Sequence, residues 1–522
     1  MEVINKRIPW FYFFYSVYPL LFLWTVNVSE IHPSAVLRPF IFTLLGSVIL
    51  FAILYFAFRD VKKAALMGAL FLLVFFSYGH VYHESRTVPA LGIISRHRIL
   101  IPVYVVLLGL GVWGLFFRVK KYESLIRFLN LSSLVLVILQ VFQLSWSYSR
   151  VSYATLHPMT LQSGLTVTTN RKDLPDVYFI VLDSYMRADA LKQDMGFDNS
   201  QFVNDLEELG FYVAKCSRPN SDYTLASIAS TLNMNYRSEL EKMSGMDVND
   251  PGFPALLKHS EVRRQLASVG YITVTFPVTF AWLQIADSDI FLTPNRPTVN
   301  PEYLYPFERM YVQSTAAAIV TAADRKLNLL PPSRPDSFPE RTANASSASL
   351  DPGLLSYIDT ELFILHKLPE VVSIAEPKFV YAHILIPHGP YAFTPDGGLL
   401  NDPGFFGEEE ITAENREYER QGYLNNLQFI NKQIIPILQT IIEKSTTPPI
   451  ILLEGDHGFK DDNRYTNLNA YYLPKGYAGV YPSISPVNSF RVVLNEYFGA
   501  HYPLLPDITE DAVENVFPDC RQ

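Results

Sequence analysis

Five uncharged apolar runs, 8–28, 39–58, 64–83, 99–117 and 128–148, occupy almost all of the first 150 residues. Each is about 20 residues long, the length a helix rising ~1.5 Å per residue needs to cross ~30 Å of hydrocarbon. No other feature restricts the fold as much, because backbone polar groups in lipid must be satisfied within a helix or a closed barrel. The runs therefore predict a five-helix transmembrane domain over 1–150. An odd number of crossings puts the termini on opposite sides. With the N-terminus inside, the inner segments carry Lys6, Arg7, Arg59, Lys62, Lys63, Arg118, Lys120, Lys121 and Arg127, and the outer ones only Arg38, Arg86, Arg96, Arg98 and Arg150. That bias predicts an extracytoplasmic C-terminal part. A cleaved signal peptide is not expected, since the first run is too long and no small-residue cleavage site follows it.

The remainder of the 522 residues reads as an ordinary folded domain. Its net charge of −9, without a basic stripe, argues against nucleic acid as a partner. Cys216 and Cys520 both fall in the outer part, where a disulfide persists, although two unpaired thiols fit the count equally well. Residues 151–175 are polar and aperiodic and read as a linker. From 176 to about 505, apolar runs of strand length alternate with amphipathic helical stretches, the pattern of an α/β fold with a mainly parallel sheet. Strands are expected at 177–182, 271–276, 378–385 and 449–454. Helices are expected after Asn199 and over 423–444, the second bent by Pro436. Residues 328–353 are rich in Pro, Ser and Ala and read as a surface excursion, and 506–522 as a tail.

Three of the predicted strands end in side chains suited to a divalent cation. Asp183 follows the first, His383 and the turn "PHGPY" with His388 close the third, and Asp456 and His457 follow the fourth in "LLEGDHG". Ligands of open α/β sheets bind beyond the carboxyl ends of the strands, so these groups are expected to converge. Two carboxylates and an imidazole suit Zn or Mn and leave a coordination position for catalysis. In "RPNSDYTLASIASTLNMNY", 218–236, a polar turn leads into an Ala/Ser-rich helix, and Thr224 stands where a hydroxyl would face the ion as nucleophile. Gly455 and Gly458 would let the backbone turn tightly around Asp456 and His457. Singly, each feature has a plainer reading: Asp183 or Thr224 as a helix cap, His383 as a core histidine, "PHGPY" as a turn.

Taken together, "YFIVLDSYMRAD", "TLASIAST", "HILIPHGPY" and "LLEGDHG" occur in an order and spacing that resembles the alkaline phosphatase and sulfatase superfamily. With a five-span anchor in front, the chain is similar to that superfamily's membrane branch, the lipoteichoic acid synthases and phosphoethanolamine transferases. The resemblance implies a sulfatase-like domain holding one divalent metal, Zn or Mn, through Asp183, Thr224, Asp456 and His457. It implies a phospho-threonine intermediate on Thr224, with His388, and His383 five residues earlier, contacting the phosphoryl oxygens or protonating the leaving group. Thr224 replaces the Cys or Ser that many sulfatases oxidise to formylglycine, which disfavours sulfate-ester hydrolysis by that route. Transferase relatives also carry a histidine about a dozen residues beyond Asp-His-Gly, and 458–475 contains none; Lys460, Asn467 and Asn469 are the available substitutes.

The leading expectation is an enzyme of the plasma membrane that moves a phosphoryl-linked headgroup from a lipid donor to an envelope glycan or lipid. The alternatives are a hydrolase of phosphate or sulfate esters and a non-catalytic membrane protein of the same fold.

Overall fold

The computed structural model describes residues 9–28, 31, 33–87, 96–118, 122–156, 165, 174–294, 306–319, 352–400, 416–459 and 464–510. It divides into two compact units, Met1–Arg150 with Pro297–Pro335, and Val151–Arg296 with Asp336–Gln522. Apart from 352–353, the excursion expected at 328–353 lies outside the described residues, as do Lys460, Cys520 and the tail beyond 510. Cys216 is disulfide-bonded.

The first unit is helical, with α1 (Phe11–Val26), α2 (Pro33–Phe58), α3 (Val61–Thr87), α4 (His97–Trp113) and α5 (Tyr122–Leu156). Four of these helices are long and apolar enough to cross a membrane; α1, at 16 residues, is shorter. Helix α5 runs six residues into the stretch expected to be a linker. Large apolar side chains such as Phe42, Phe56 and Phe142 point outward, as they do in a bundle whose solvent is lipid. Small residues let the helices approach: a Cβ on Gly68 would meet the Tyr12 ring at 2.4 Å, and one on Gly111 would meet Leu70 at 2.8 Å.

This unit also contains a segment that the sequence pattern placed in the α/β domain. Helix Pro306–Gln313 buries Phe307 and Tyr311 among Leu20, Leu23 and Val36. Tyr311 shares a hydrogen bond with Thr43 at 2.9 Å, Glu308 pairs with Arg38, and the Ala316 N–H donates to the Phe75 carbonyl at 2.7 Å. Gly79 admits the chain there, since a Cβ would lie 2.3 Å from the Gln313 carbonyl oxygen. The physical cause is composition: Phe307 and Tyr311, one turn apart, give a short helix an apolar face that needs a partner.

The second unit is built on a seven-stranded sheet in the order β2-β7-β6-β1-β5-β3-β4. The strands are β1 (Val177–Leu182), β2 (Tyr212–Val213), β3 (Ile272–Thr275), β4 (Ile290–Phe291), β5 (Lys378–Ile384), β6 (Ile450–Glu454) and β7 (Asn469–Tyr472). Pairs β6-β1, β1-β5, β5-β3 and β3-β4 are parallel, while β6-β7 and β7-β2 are antiparallel. Every residue of β1, β5 and β6 is buried, which is why these strands read as mainly apolar runs. The central helix expected at 423–444 begins earlier, spanning Arg416–Lys444.

Parallel pairing fixes where the chemistry goes. In register, Leu182 pairs with Ile384 and Val181 with Glu454. The residues that follow these three strands therefore emerge together at one edge.

Candidate active site

Asp183 leaves β1 with its amide bonded to the Ile384 carbonyl at 2.9 Å. The next residue, Ser184, has φ of 62°, a left-handed conformation uncommon for a residue with a Cβ. Four contacts hold it there. Its N–H donates to Asp456 Oδ1 at 2.8 Å, its hydroxyl donates to Asp183 Oδ1 at 3.1 Å and lies 3.3 Å from His457 Nδ1, and its carbonyl accepts from the Tyr423 hydroxyl at 2.8 Å. Ser184 thereby ties the ends of β1 and β6 together. No spacing in the sequence marks it out.

Asp183, His383 and Asp456 are buried, and one ligand atom from each lies within 4.8 Å of the others. His383 Nε2 is 3.1 Å from Asp183 Oδ2, and its Nδ1 is 3.0 Å from the Tyr381 hydroxyl. Tyr381, two residues away on the same face of β5, can serve either imidazole tautomer because a phenol both donates and accepts. His383 is fully buried with both ring nitrogens engaged. That placement suits a metal shell with its outer partner, rather than the substrate contact expected of His383.

Asp456 Oδ2 is buried and accepts no hydrogen bond, though His457 Nε2 lies 3.4 Å from it. An orphaned carboxylate oxygen at the centre of a carboxylate and imidazole cluster is what a hard or borderline cation would satisfy, so the donor set fits a divalent metal. Burial raises the Asp456 pKa, and the charge of Asp183 raises it further. Burial also acts to raise Asp183, but the positive fields of His388, His383 and His457 outweigh it and hold this carboxyl below its ordinary value. His457 is pushed down by burial and more strongly up by Asp456 and Asp183, ending above its ordinary value.

Thr224 is the first residue of helix Thr224–Asn233, with Tyr223 as its cap. Its hydroxyl is 3.0 Å from His457 Nε2. His457 Nδ1 is 2.7 Å from the Gly458 carbonyl; in neutral imidazole that contact puts the proton on Nδ1 and turns the Nε2 lone pair to the threonine. Thr224, Ser227 and Thr231 recur at helical spacing on one face. The Ser227 hydroxyl donates to the Asp456 carbonyl at 2.6 Å, and the Thr231 hydroxyl donates to Glu454 Oε1 at 3.2 Å. The Ala/Ser-rich composition lets this helix lie directly on the end of β6.

His388 is half-buried, with Nδ1 2.7 Å from the Gly389 carbonyl and its N–H donating to the Asp183 carbonyl at 3.1 Å. Asn426 fixes the turn by donating to the carbonyls of His388 at 3.2 Å and Pro390 at 2.9 Å.

Two expectations need correction. Neither Gly455 nor Gly458 has positive φ; Gly455 is required because a Cβ would sit 2.3 Å from the Tyr185 carbonyl oxygen. Asn467 and Asn469 do not stand in for the absent histidine through their side-chain nitrogens, which donate to the Gly455 carbonyl and to Ser217 Oγ and the Ile484 carbonyl, while Asn467 Oδ1 is buried without a partner.

No family model and no curated protein matches the chain. Among solved structures, the C-terminal periplasmic domain of EptC from Escherichia coli is similar at 12% identity, with 67% of this chain and 91% of that one covered and a TM-score of 0.40. Lipooligosaccharide phosphoethanolamine transferase A of Neisseria meningitidis, an integral membrane protein, is similar at 12% identity over 94% of this chain and 96% of that one, TM-score 0.38. Phosphonate monoester hydrolase of Agrobacterium radiobacter is similar at 12% identity over 63% and 74%, TM-score 0.38. At that identity and those scores these are proteins the chain is similar to, and the chemistry of its site rests on the distances within it.

Proposed function

We propose that the chain is a metal-dependent, membrane-tethered enzyme that transfers a phosphoryl-linked headgroup from a lipid donor to an envelope glycan or lipid through Thr224. One observation carries the reading: a half-buried threonine hydroxyl lies 3.0 Å from the Nε2 of His457, which itself borders the buried group Asp183, His383 and Asp456. Those three residues would hold one divalent ion, Zn or Mn, with His457 and Thr224 completing its surroundings. The bound ion would supply Lewis-acid polarisation and lower the pKa of a nearby hydroxyl.

The chain's own part is orientation and proton handling. His457 aligns Thr224 Oγ, whose bond to phosphorus forms as the bond from phosphorus to the lipid alcohol breaks. The threonine proton passes to His457 Nε2, and the half-buried His388 protonates the departing alkoxide. In the return half, an acceptor hydroxyl gives its proton to His388 and forms the new bond to phosphorus, while the bond to Thr224 Oγ breaks and His457 returns the threonine proton. First-turn N–H groups of helix Thr224–Asn233 add a positive end for the phosphoryl oxygens.

Hydrolysis is the second reading, because the side-chain nitrogens of Asn467 and Asn469 are both spent on structure and no acceptor-activating histidine occurs in 458–475. Mass spectrometry of the chain incubated with mixed phospholipids tests the proposal. A headgroup adduct on the Thr224 peptide is the expected result. Turnover of a phosphodiester without any adduct would move the assignment to the hydrolase.

A further inference from the structure

The loop after β3 leaves the sheet at the same edge as Asp183, because β3 is parallel to β5 and β5 to β1. It carries two aromatic side chains, Phe280 turned outward and Trp282 partly buried against the core. Phe280 is 40% exposed, and its ring lies 5.6 Å from that of Trp282 at an interplanar angle of 29°. Trp282 in turn lies 6.1 Å from the ring of Tyr223 at 16°, and Tyr223 is 44% exposed. Tyr223 is the residue before Thr224. Three near-parallel rings thus run in a row from the loop to the nucleophile, and core packing does not account for the exposure of the two at its ends.

We infer that Tyr223, Trp282 and Phe280 form a shelf that binds a sugar ring of a glycan acceptor beside Thr224. The inference rests on the reading of Thr224 as nucleophile and names the acceptor class. Ring geometry selects the ligand. A cation is held best over ring faces set around it, and an acyl chain by a closed groove that excludes water. Near-parallel, half-exposed rings offer neither. The exposed ends of this stacked row, Phe280 and Tyr223, offer apolar ring surface bounded by water, which matches the C–H face of a pyranose whose hydroxyls stay hydrated. Thr275 anchors the loop through its hydroxyl, which donates to the Ile285 carbonyl at 2.9 Å and lies 2.7 Å from Ser288 Oγ, so the shelf keeps its orientation without a ligand.

Trp282 is the one tryptophan outside the first 150 residues, so in the full chain in detergent, with Trp10, Trp24, Trp113 and Trp146 replaced by Phe, the emission reports on the shelf. Titration with chitotriose should give a saturable change in that emission. Phe280→Ala should weaken binding about ten-fold, the order expected for losing one stacking ring, and Phe280→Tyr should restore it; melting temperatures matching the parent show that each variant is folded. No saturable response to chitotriose, or one that Phe280→Ala leaves unchanged, would overturn the inference. So would a response to phosphocholine that depends on Phe280 in place of the chitotriose response, since that would make the shelf an ammonium site. Adduct formation at Thr224 without a sugar response sinks the shelf alone. Sugar binding without any adduct sinks the transfer reading alone.

Discussion

At the scale of single residues, the site depends on a few side chains whose neighbours leave them little choice. Thr224→Ala should fold with unchanged melting temperature and lose turnover by about three orders of magnitude or more, measured on any phosphodiester the parent cleaves; retained activity would remove Thr224 as nucleophile. Asp456→Asn should strip the metal, read by elemental analysis of the purified chain, because it removes the one carboxylate with an unsatisfied buried oxygen in the cluster. Glu361 gives a prediction in pH. It is fully buried, accepts from the Leu385 N–H at 2.9 Å through one oxygen, and has no partner on the other. Burial raises its pKa well above the ordinary value, with the charge of Asp183 adding to the effect. Its folded form is therefore the neutral acid, and stability is full below the unfolded carboxyl pKa and falls as pH rises toward the folded one. Glu361→Gln keeps the acceptor and removes that penalty, so its melting temperature should exceed the parent's by roughly 2 °C or more at pH 8 and match it near pH 4. An equal shift at both values would refute the mechanism. The ligand-type residues were legible in the sequence because each closes an apolar strand. Ser184, Tyr381, Tyr423 and Glu361 were not, because their roles come from contacts made across more than one strand or helix.

Among the elements, β1, β5 and β6 were readable from their buried apolar runs, whereas β2 and β4, two residues each, and β7 carry no run long enough to signal a strand. The buried threonine and serine face of helix Thr224–Asn233 was visible only as composition; its partner, the end of β6, is more than 220 residues away in sequence. This junction is also where the site is least forgiving. Gly455→Ala would press a methyl group against the Tyr185 carbonyl at 2.3 Å, forcing the strand that delivers Asp456 away from the one that delivers Asp183. The expected cost is about 1–3 kcal/mol of stability, together with loss of metal. A variant that stays both stable and metal-loaded would show that the two strand ends do not need their present separation.

For the whole molecule, the open quantity is the number of membrane crossings, and it turns on α1. Sixteen residues span ~24 Å as a helix, short of ~30 Å of hydrocarbon. Yet α1 has no charged residue, and it packs as an integral member of its unit: Phe11 and Tyr12 are fully buried, the Tyr12 hydroxyl reaches the Ser47 carbonyl at 2.7 Å, and the Phe11 N–H donates to Asn130 at 3.0 Å. A helix lying flat in the interface would keep one polar face toward water, and the sequence of α1 has none. Local thinning or flanking residues absorb a mismatch of this size at modest cost. We therefore propose five crossings, which would put Lys6 and Arg7 inside and the α/β unit outside. Single cysteines placed at Glu2 and at the exposed Lys475, in a chain whose own cysteines are replaced, settle the matter with a membrane-impermeant maleimide. Lys475→Cys should label in intact cells and Glu2→Cys only after permeabilisation. Labelling of both in intact cells would mean four crossings, with α1 folded back into the bundle, and the positive charges at the N-terminus would then lie on the same side as the catalytic unit, where they would strengthen its attraction for anionic lipid.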